Sequence, residues 1–300
     1  MKYYNLLNEY YKAKFGERVL KICVDGGFTC PNRDGSKGVG GCIFCSALGS
    51  GEHIRYKDIS TQVHNHLASY RGDRAEKFIV YFQNFSNTYA DVTTLKNIYD
   101  SALVSDKIVG LSIATRPDCI TKEIVELLRS YTDKYFVMVE LGLQTADEKI
   151  IPMLNLGYTL DDYTKAVSML HDAGIEVVTH VILGLPNETK DSIAKTAKVL
   201  NESEIDGVKI HNLYVVKDTK LAQMYMAGLI KDMTLDEYLE KLEYLLTLLN
   251  ENIIIHRISG DAPKDKLVSP EWNTHKKYVL NGILKRMKQN GTYQGKNYMK

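Results

Sequence analysis

The alternation of β-rich runs with helical patterns most constrains how this chain can fold. Six apolar runs, rich in β-branched and aromatic residues, are separated by segments in which apolar residues recur every three or four positions. Such alternation predicts right-handed βαβ units with parallel strands. We therefore expect an α/β fold, a partial (β/α)6 TIM-like barrel. The predicted strands are Val19–Val24, Phe78–Phe82, Ile108–Ala114, Tyr135–Leu141, Glu176–Leu183 and Gly207–Tyr214.

The segments between these runs carry helix start and stop signals. Thr121 and Thr159 are placed to N-cap the helices that follow them, and Gly174 lies where a glycine often ends a helix. The predicted helices are approximately Ile59–Tyr70, Thr93–Leu103, Lys122–Ser130, Thr159–Ala173 and Thr189–Asn201.

The pattern changes after Tyr214. We expect helices over Leu221–Ala227 and Leu235–Asn250, a short strand over Ile253–His256 and a last basic helix from about Thr274. Residues 1–230 are therefore predicted to form the core, and residues 231–300 a C-terminal α/β extension. The stretch from 272 to 300 holds seven Lys or Arg residues and no Asp or Glu. Its basic helix could be a solvated face or a phosphate-binding surface.

Size and composition narrow the class of protein. The 300 residues, 44% of them hydrophobic, can bury a core that needs neither disulfide nor metal. No apolar run approaches twenty residues, and the first residues lack the pattern of a signal peptide. Five cysteines, an odd number, favour metal or redox chemistry in a reducing compartment. We expect a cytoplasmic protein without a membrane partner.

Four of the five cysteines lie in one glycine-rich segment, CVDGGFTCPNRDGSKGVGGCIFC. Cys30, Cys42 and Cys45 have the spacing C-x11-C-x2-C, and Phe44 precedes the last of them. Three thiolates can hold three irons of a [4Fe–4S] cluster and leave the fourth iron open to a small molecule. The alternative is a structural zinc site with Cys23 as fourth ligand, although Cys23 lies in a β-rich run where we expect it to be buried.

The cysteine segment resembles the cluster loop of radical S-adenosylmethionine (SAM) enzymes. The likeness is greatest to a subgroup that includes the bacterial YhcC and YtqA proteins and is related to the catalytic subunit of Elongator. It extends through FGERVLKI, GFTCPNRDG, GCIFCSALGSGE, YFQNFSNTYA, ATRPDCI, VELGLQT, GLPNET, HRISGDAP and LVSPEW in order.

The resemblance implies a catalytic activity and its cofactors. A [4Fe–4S] cluster on Cys30, Cys42 and Cys45 would reduce SAM, giving methionine and a 5′-deoxyadenosyl radical that abstracts hydrogen from substrate. The cluster would in turn need an electron donor such as flavodoxin or ferredoxin.

The same resemblance assigns SAM contacts to residues after the predicted strands, where barrel enzymes carry their chemistry. Arg116 could also grip a carboxylate or phosphate, or only pair with Asp118. Glu140, inside an apolar strand, would be costly to bury without a partner, which favours ligand binding. The implied cofactor-binding residues are Phe44, Gln83, Asn84, Thr115, Arg116, Glu140, Gln144, Gly184 and Pro186.

Other residues are candidates for substrate contact. The resemblance suggests a substrate lid that carries Arg257, Asp261 and Trp272. Cys119 could donate hydrogen to a radical or be a spectator thiol, and His180 and His211 could be core histidines or substrate contacts. One departure stands out, because relatives usually have Asn-Arg-Gly-His where this chain has Asn-Leu-Gly-Tyr over residues 155–158.

The implied substrate is tRNA. The catalytic subunit of Elongator joins a similar radical domain to an acetyltransferase domain and builds a side chain on carbon 5 of wobble uridine. This chain ends soon after its radical core, so we expect it to remodel an existing side chain, from carboxymethylaminomethyl to aminomethyl. The alternatives are a radical SAM enzyme that acts on a small-molecule metabolite and a non-catalytic RNA-binding protein whose metal loop only stabilises the fold.

Overall fold

Seven parallel strands form a curled, partial barrel in the computed structural model, which describes residues 2–47, 49 and 58–299. Part of the motif GCIFCSALGSGE, residues 48 and 50–52, lies outside the described residues. The strands are Val19–Val24 (β1), Lys77–Phe82 (β2), Ile108–Thr115 (β3), Phe136–Gln144 (β4), Glu176–Leu183 (β5), Gly207–Asn212 (β6) and, after a short strand Val215–Val216 (β7), Ile254–Arg257 (β8). The predicted α/β partial barrel is confirmed.

The seventh strand of the sheet comes from the C-terminal extension. The sheet order is β1-β2-β3-β4-β5-β6-β8, so β8 pairs in parallel with β6 at one edge. The short strand expected over Ile253–His256 therefore continues the six-stranded core. A separate antiparallel pair joins β7 to Leu267–Ser269 (β9).

Helices connect the strands and bury apolar faces against the sheet. Thr121 and Thr159 each accept a hydrogen bond from the backbone three residues ahead, as predicted, and Gly174 has a positive φ of 70° after its helix. The helices are Leu7–Phe15 (α1), Ile59–Leu67 (α2), Val92–Asp100 (α3), Lys122–Thr132 (α4), Ile151–Leu154 (α5), Leu160–Asp172 (α6), Lys190–Glu202 (α7), Lys220–Met226 (α8), Leu235–Leu248 (α9) and Lys276–Asn290 (α10).

Helix α1 packs at the amino ends of the strands. Tyr11 and Phe15 meet Phe136, the first residue of β4, in edge-to-face contacts with ring centroids 6.4 and 5.6 Å apart. Tyr11 is almost fully buried. The aromatic cluster fills this end of the barrel, so the chemistry is left to the carboxyl ends of the strands.

Candidate active site

Two adjoining cavities open inside the barrel. The cluster cavity, about 220 Å³, is lined by Cys30, Cys42 and Cys45. The large cavity, about 1190 Å³, is lined by strand residues, by the second half of helix α2 with the turn after it, and by the loop after β8. The two share the side chains of His180 and His211. A group bound in one would therefore lie next to a group bound in the other.

Hydrogen bonds from side chains to the backbone stabilise the cluster loop, residues 30–45. Arg33 Nη2 donates to the carbonyls of Cys45 (3.0 Å) and Ser46 (2.6 Å). Gly41 has a φ of 74°, and a Cβ there would lie 2.9 Å from Arg33 Nε. The glycine is therefore needed both for its backbone conformation and for the close approach of Arg33. Ile43, almost fully buried, anchors the loop in an apolar cluster with Leu154 and its neighbours.

Two side chains direct N–H groups at cluster-loop sulfurs. Asn32 Nδ2 lies 3.9 Å from Cys42 Sγ and donates to the carbonyl of Asn155 (2.6 Å). Arg116 Nη1 lies 3.9 Å from Cys30 Sγ and donates to the carbonyl of Leu156 (2.7 Å). The carbonyls of residues 155 and 156 thus position both donors.

Arg116 is already neutralised by a protein carboxylate. Its guanidinium binds both oxygens of Asp118 at 2.9 Å, and it lies 4.9 Å from the ring centroid of Tyr158. Burial would lower the pKa of Arg116, but Asp118 raises it above its usual value. Of the two roles predicted for Arg116, the pairing with Asp118 is present, and Lys37 adds a second cation to the same carboxylate.

The donor set fits a [4Fe–4S] cluster. Within residues 2–47, 49 and 58–299, no three His, Cys, Asp or Glu side chains converge on a point for a single metal ion. A cubane does not require such convergence, because each thiolate binds a different iron. Cys23 lines the large cavity and does not line the cluster cavity with the other three cysteines.

Several residues predicted to bind SAM line the cluster cavity. Gln83, Thr115 and Gln144 all lie there at strand ends. Gln144 and Phe85 have left-handed backbones, with φ of 68° and 58°. Strain of this kind is concentrated at functional sites. The hydroxyl of Ser86, which also lines this cavity, is buried and has no hydrogen-bond partner among the described residues.

Glu140 is the centre of a charged network at the boundary of the two cavities. Its side chain is fully buried, and its Oε1 accepts from Lys21 Nζ at 2.6 Å and from Ser112 Oγ at 2.7 Å. Its Oε2 pairs with Lys209 and lies 2.7 Å from His180 Nε2. We call Glu140, Lys21, Lys209 and His180 the charged network. Protein partners therefore already meet the cost of burying Glu140, and that cost is not evidence for a ligand.

Burial and neighbouring charges shift the ionisation of this network. Burial would raise the pKa of Glu140, but Lys209, Lys21 and His180 lower it well below its usual value. Burial lowers the pKa of Lys209 to about 7, with Lys21 and Arg257 acting in the same direction and Glu140 opposing them. Burial and the nearby cation Arg257 lower the pKa of His211 well below its usual value, so this ring is neutral.

Four other predicted residues do not line either cavity. One of them, Asn84, is buried, and its Oδ1 has no hydrogen-bond partner among the described residues. Gly184 (φ 87°) lies against Met233, whose Cε would be 2.5 Å from an added Cβ, and its N–H donates to Glu188. Pro186 lies in the same turn. Trp272 stacks on Tyr238, with centroids 5.4 Å apart, and donates to the carbonyl of Met233 at 2.8 Å. The ligand roles predicted for Gly184, Pro186 and Trp272 therefore stay predictions.

The remaining candidates divide between cavity and core. Arg257 and Asp261 line the large cavity, and their side chains approach to 3.5 Å. His180 and His211 stack with centroids 5.5 Å apart on the wall that the cavities share. Cys119 is buried elsewhere. The expectation that Cys23 is buried was wrong: it is exposed, because β1 is an edge strand and this residue faces the large cavity.

The sequence analysis missed Lys21 and Lys209. Both lie inside apolar strands, in VLKICV and GVKIHN, as Glu140 does. A charged residue in such a strand needs a partner of opposite charge, so these three positions could have been matched. In a strand, residues two apart share a face, which also groups Lys209 with His211. No helix among the described residues is long and apolar enough to cross a membrane.

Comparisons with known proteins identify the family. The family model described as the Radical SAM superfamily matches residues 30–200, and that of the Radical_SAM C-terminal domain matches residues 205–289. YtqA of Bacillus subtilis (strain 168) is 38% identical over 302 residues, spanning 100% of this chain and 94% of that protein.

Two further matches are with archaeal proteins. A tRNA uridine(34) acetyltransferase of Methanocaldococcus jannaschii is 32% identical over 164 residues, which are 53% of this chain and 30% of that protein. The structure of archaeal Elp3 from Methanocaldococcus infernus superposes with a TM-score of 0.71 at 18% identity, covering 92% of this chain and 64% of that one. With three cysteines on one cavity and family matches over most of its length, the chain belongs to the radical SAM superfamily, as a radical SAM enzyme of the YhcC and YtqA subgroup that uses a [4Fe–4S] cluster and SAM.

Proposed function

We propose that this enzyme modifies a side chain on carbon 5 of the wobble uridine of tRNA. The observation that carries the proposal is the large cavity of about 1190 Å³ beside the cluster cavity, lined by the cations Lys21, Lys209 and Arg257. It offers space and charge for an anionic uridine side chain. The relative named tRNA uridine(34) acetyltransferase supports the choice of nucleoside.

The chain's own residues would bind and orient both cofactors. Cys30, Cys42 and Cys45 hold the cluster, while Asn32 and Arg116 direct N–H groups at two of the sulfurs. When bound, the cluster and SAM supply reductive cleavage of SAM and, from it, a 5′-deoxyadenosyl radical that abstracts hydrogen. SAM would contact Gln83, Thr115 and Gln144 on the cluster cavity, which Phe44 also lines.

The specific reaction we propose converts carboxymethylaminomethyluridine to aminomethyluridine. The carbon between nitrogen and carboxylate is oxidised by two electrons, water supplies an oxygen, and the two-carbon unit leaves as glyoxylate. SAM takes up the two electrons and a proton to give methionine and 5′-deoxyadenosine. Atoms and electrons balance without another oxidant, and flavodoxin or ferredoxin would supply the first electron to the cluster.

Exposed cations offer a surface for the tRNA backbone. On α10, Arg286 is paired with Glu243 and Lys276 with Asp261. Three further lysines of this helix, Lys277, Lys285 and Lys288, are exposed. Contacts with phosphates should make tRNA binding weaken as salt rises.

Nucleoside mass spectrometry of tRNA tests the proposal. Cells that lack the gene should accumulate carboxymethylaminomethyluridine and lose the products made from its aminomethyl form. Complementation with the wild-type gene should restore them, and complementation with Cys42→Ala should not. If every modified wobble uridine is unchanged while the purified enzyme still forms 5′-deoxyadenosine, the tRNA assignment is wrong and a small-molecule substrate takes its place.

A further inference from the structure

Three strand residues form a row of polar groups along one wall of the large cavity. His180 on β5 is the register partner of Lys209 on β6, and Lys209 is the register partner of Arg257 on β8. All three line the large cavity. Register partners of adjacent parallel strands share a face of the sheet, so these side chains are neighbours by construction of the fold.

Cations outnumber carboxylates along this wall. Glu140 is shared between Lys21 and Lys209, and Asp261 is shared between Arg257 and Lys276. Lys276 does not line the cavity, so Lys21, Lys209 and Arg257 stand there against the two carboxylates. Lys21 and Lys209 are the more deeply buried of these cations, and two buried cations that share one carboxylate favour an incoming anion.

Neutral donors accompany the surplus charge. His211 Nε2 and His256 Nδ1 are buried ring nitrogens without a hydrogen-bond partner among the described residues. Both rings line the large cavity. A buried polar atom without a partner is unfavourable in an empty site and becomes satisfied when a ligand supplies an acceptor or donor.

We infer that this wall is a carboxylate-binding site in which Lys209 and Arg257 hold the anionic end of the substrate side chain, with His211 as an accessory donor. That the carboxylate belongs to a uridine side chain rests on the proposed function. That the wall binds a carboxylate rests on the residues of the wall alone. A guanidinium and an ammonium side by side match the two oxygens of one carboxylate.

The position of the site fits this role. His211 and His180 belong to the wall shared with the cluster cavity. If Lys209 and Arg257 hold the carboxylate, the carbon bonded to that carboxylate would therefore lie close to the cluster cavity, where SAM would bind. Holding the reacting carbon in position increases the reaction rate by a larger factor than it increases the affinity for the substrate.

A matched pair of small ligands tests the site without tRNA. N-benzylglycine and benzylamine differ only in the carboxymethyl group. Calorimetric titration of the reconstituted enzyme with SAM present should show that N-benzylglycine binds more tightly, by about tenfold or more. Lys209→Met and Arg257→Gln should abolish this preference. The exposed matched controls Lys198→Met and Arg129→Gln should keep it.

Each other outcome overturns the inference. Equal binding of the two ligands by the wild type, or an unchanged preference in both variants, would show that no carboxylate is held here. Weakened SAM binding in both variants would assign the wall to the cofactor. Binding of inorganic phosphate without binding of N-benzylglycine would make it a phosphate site. Arg257→Gln provides a test independent of the buried network, because its side chain is 37% exposed.

The carboxylate site and the tRNA assignment can be contradicted independently of each other. A carboxylate preference together with unchanged wobble uridines in the deletion strain would leave the site in place and remove tRNA as the substrate. Altered wobble uridines without a carboxylate preference would support tRNA as the substrate and contradict the carboxylate site.

Discussion

The cluster loop and the charged network meet at the same cavities but are stabilised in different ways. In the loop, backbone carbonyls accept from Arg33 and Asn32, and the sulfurs receive only long N–H contacts of 3.9 Å. In the network, side chains from four strands surround Glu140, with Lys21 Nζ at 2.6 Å and His180 Nε2 at 2.7 Å.

The difference shows which site is formed by the fold and which is completed by its metal. The network is complete once the strands pair and the sheet curls, because register and curvature together bring its members into contact. The cluster loop places its three cysteines on one cavity, where each thiolate would bind a different iron. Metal binding to such ligands links them to one another and contributes to folding of the loop.

Removing one cluster-loop thiol should produce the largest effect, the loss of the cluster and of its activity. The effect should be confined to the thiols of the cluster loop. We expect Cys42→Ala to lose the cluster of about four irons and all formation of 5′-deoxyadenosine, since three ligands are the minimum for this cluster. Iron analysis and product chromatography measure both. Cys119→Ala, at a buried thiol away from the cavities, is the matched control and should keep both. Full iron content in Cys42→Ala would show that another residue is the ligand.

Breaking the charged network should affect stability rather than iron. Glu140→Gln leaves Lys21 and Lys209 without their buried counter-ion, and removing one partner of a buried pair costs about 3–5 kcal/mol. Urea denaturation of the metal-free chain measures this fall in the free energy of unfolding. Glu202→Gln, at an exposed pair with Lys198, should cost less than about 1 kcal/mol. Equal losses in the two variants would contradict a stabilising role for the network.

A smaller effect should follow from removing one N–H contact to a cluster sulfur. Asn32→Leu removes the donor to Cys42 Sγ, and hydrogen bonds to ligand sulfurs favour the reduced cluster. We expect a lower reduction potential, measured by titration followed with electron paramagnetic resonance. Asn97→Leu, on α3, should leave the potential unchanged. A potential that stays the same or rises in Asn32→Leu would show that the contact does not act on the cluster.

The smallest effect concerns pH and the carboxylate site. A bound anion favours charged Lys209, so its affinity should be highest below the Lys209 pKa of about 7 and should fall as pH rises. We expect about a fivefold loss of N-benzylglycine affinity between pH 7 and pH 8, with proton uptake on binding. Calorimetry in buffers of different ionisation enthalpy measures both. Several titratable and charged groups face Lys209. They are Lys21 and Cys23 from β1, Tyr81 from β2, Glu140 from β4, His180 from β5, His211 from β6, and His256 and Arg257 from β8. A pH-independent affinity would contradict a role for charged Lys209.

The sequence predicted the order and type of the barrel elements because each carries local signals. Strand β5 has the predicted bounds, and Thr159 caps α6 as expected. The pairing of β8 with β6 could not be predicted. The periodicity of apolar residues indicates which face of a strand is buried, but it does not indicate which strand lies beside it. The strands β7 and β9 have two and three residues, too few for any period to show.

The candidate site was predictable where residues follow one another in a motif and not where distant strands meet. Cys30, Cys42 and Cys45 share a loop, so their spacing indicated their grouping. Lys21 and Lys209 are separated by most of the chain, and their contact with Glu140 depends on sheet register and curvature. Single charged residues in apolar strands were visible, but the sequence did not show that they share one carboxylate.

The edge strand β8 lines one of the two cavities and not the other. It contributes Arg257 and His256 to the large cavity and no residue to the lining of the cluster cavity. Substitutions at these two positions of the edge strand would therefore alter the large cavity and leave the lining of the cluster cavity unchanged.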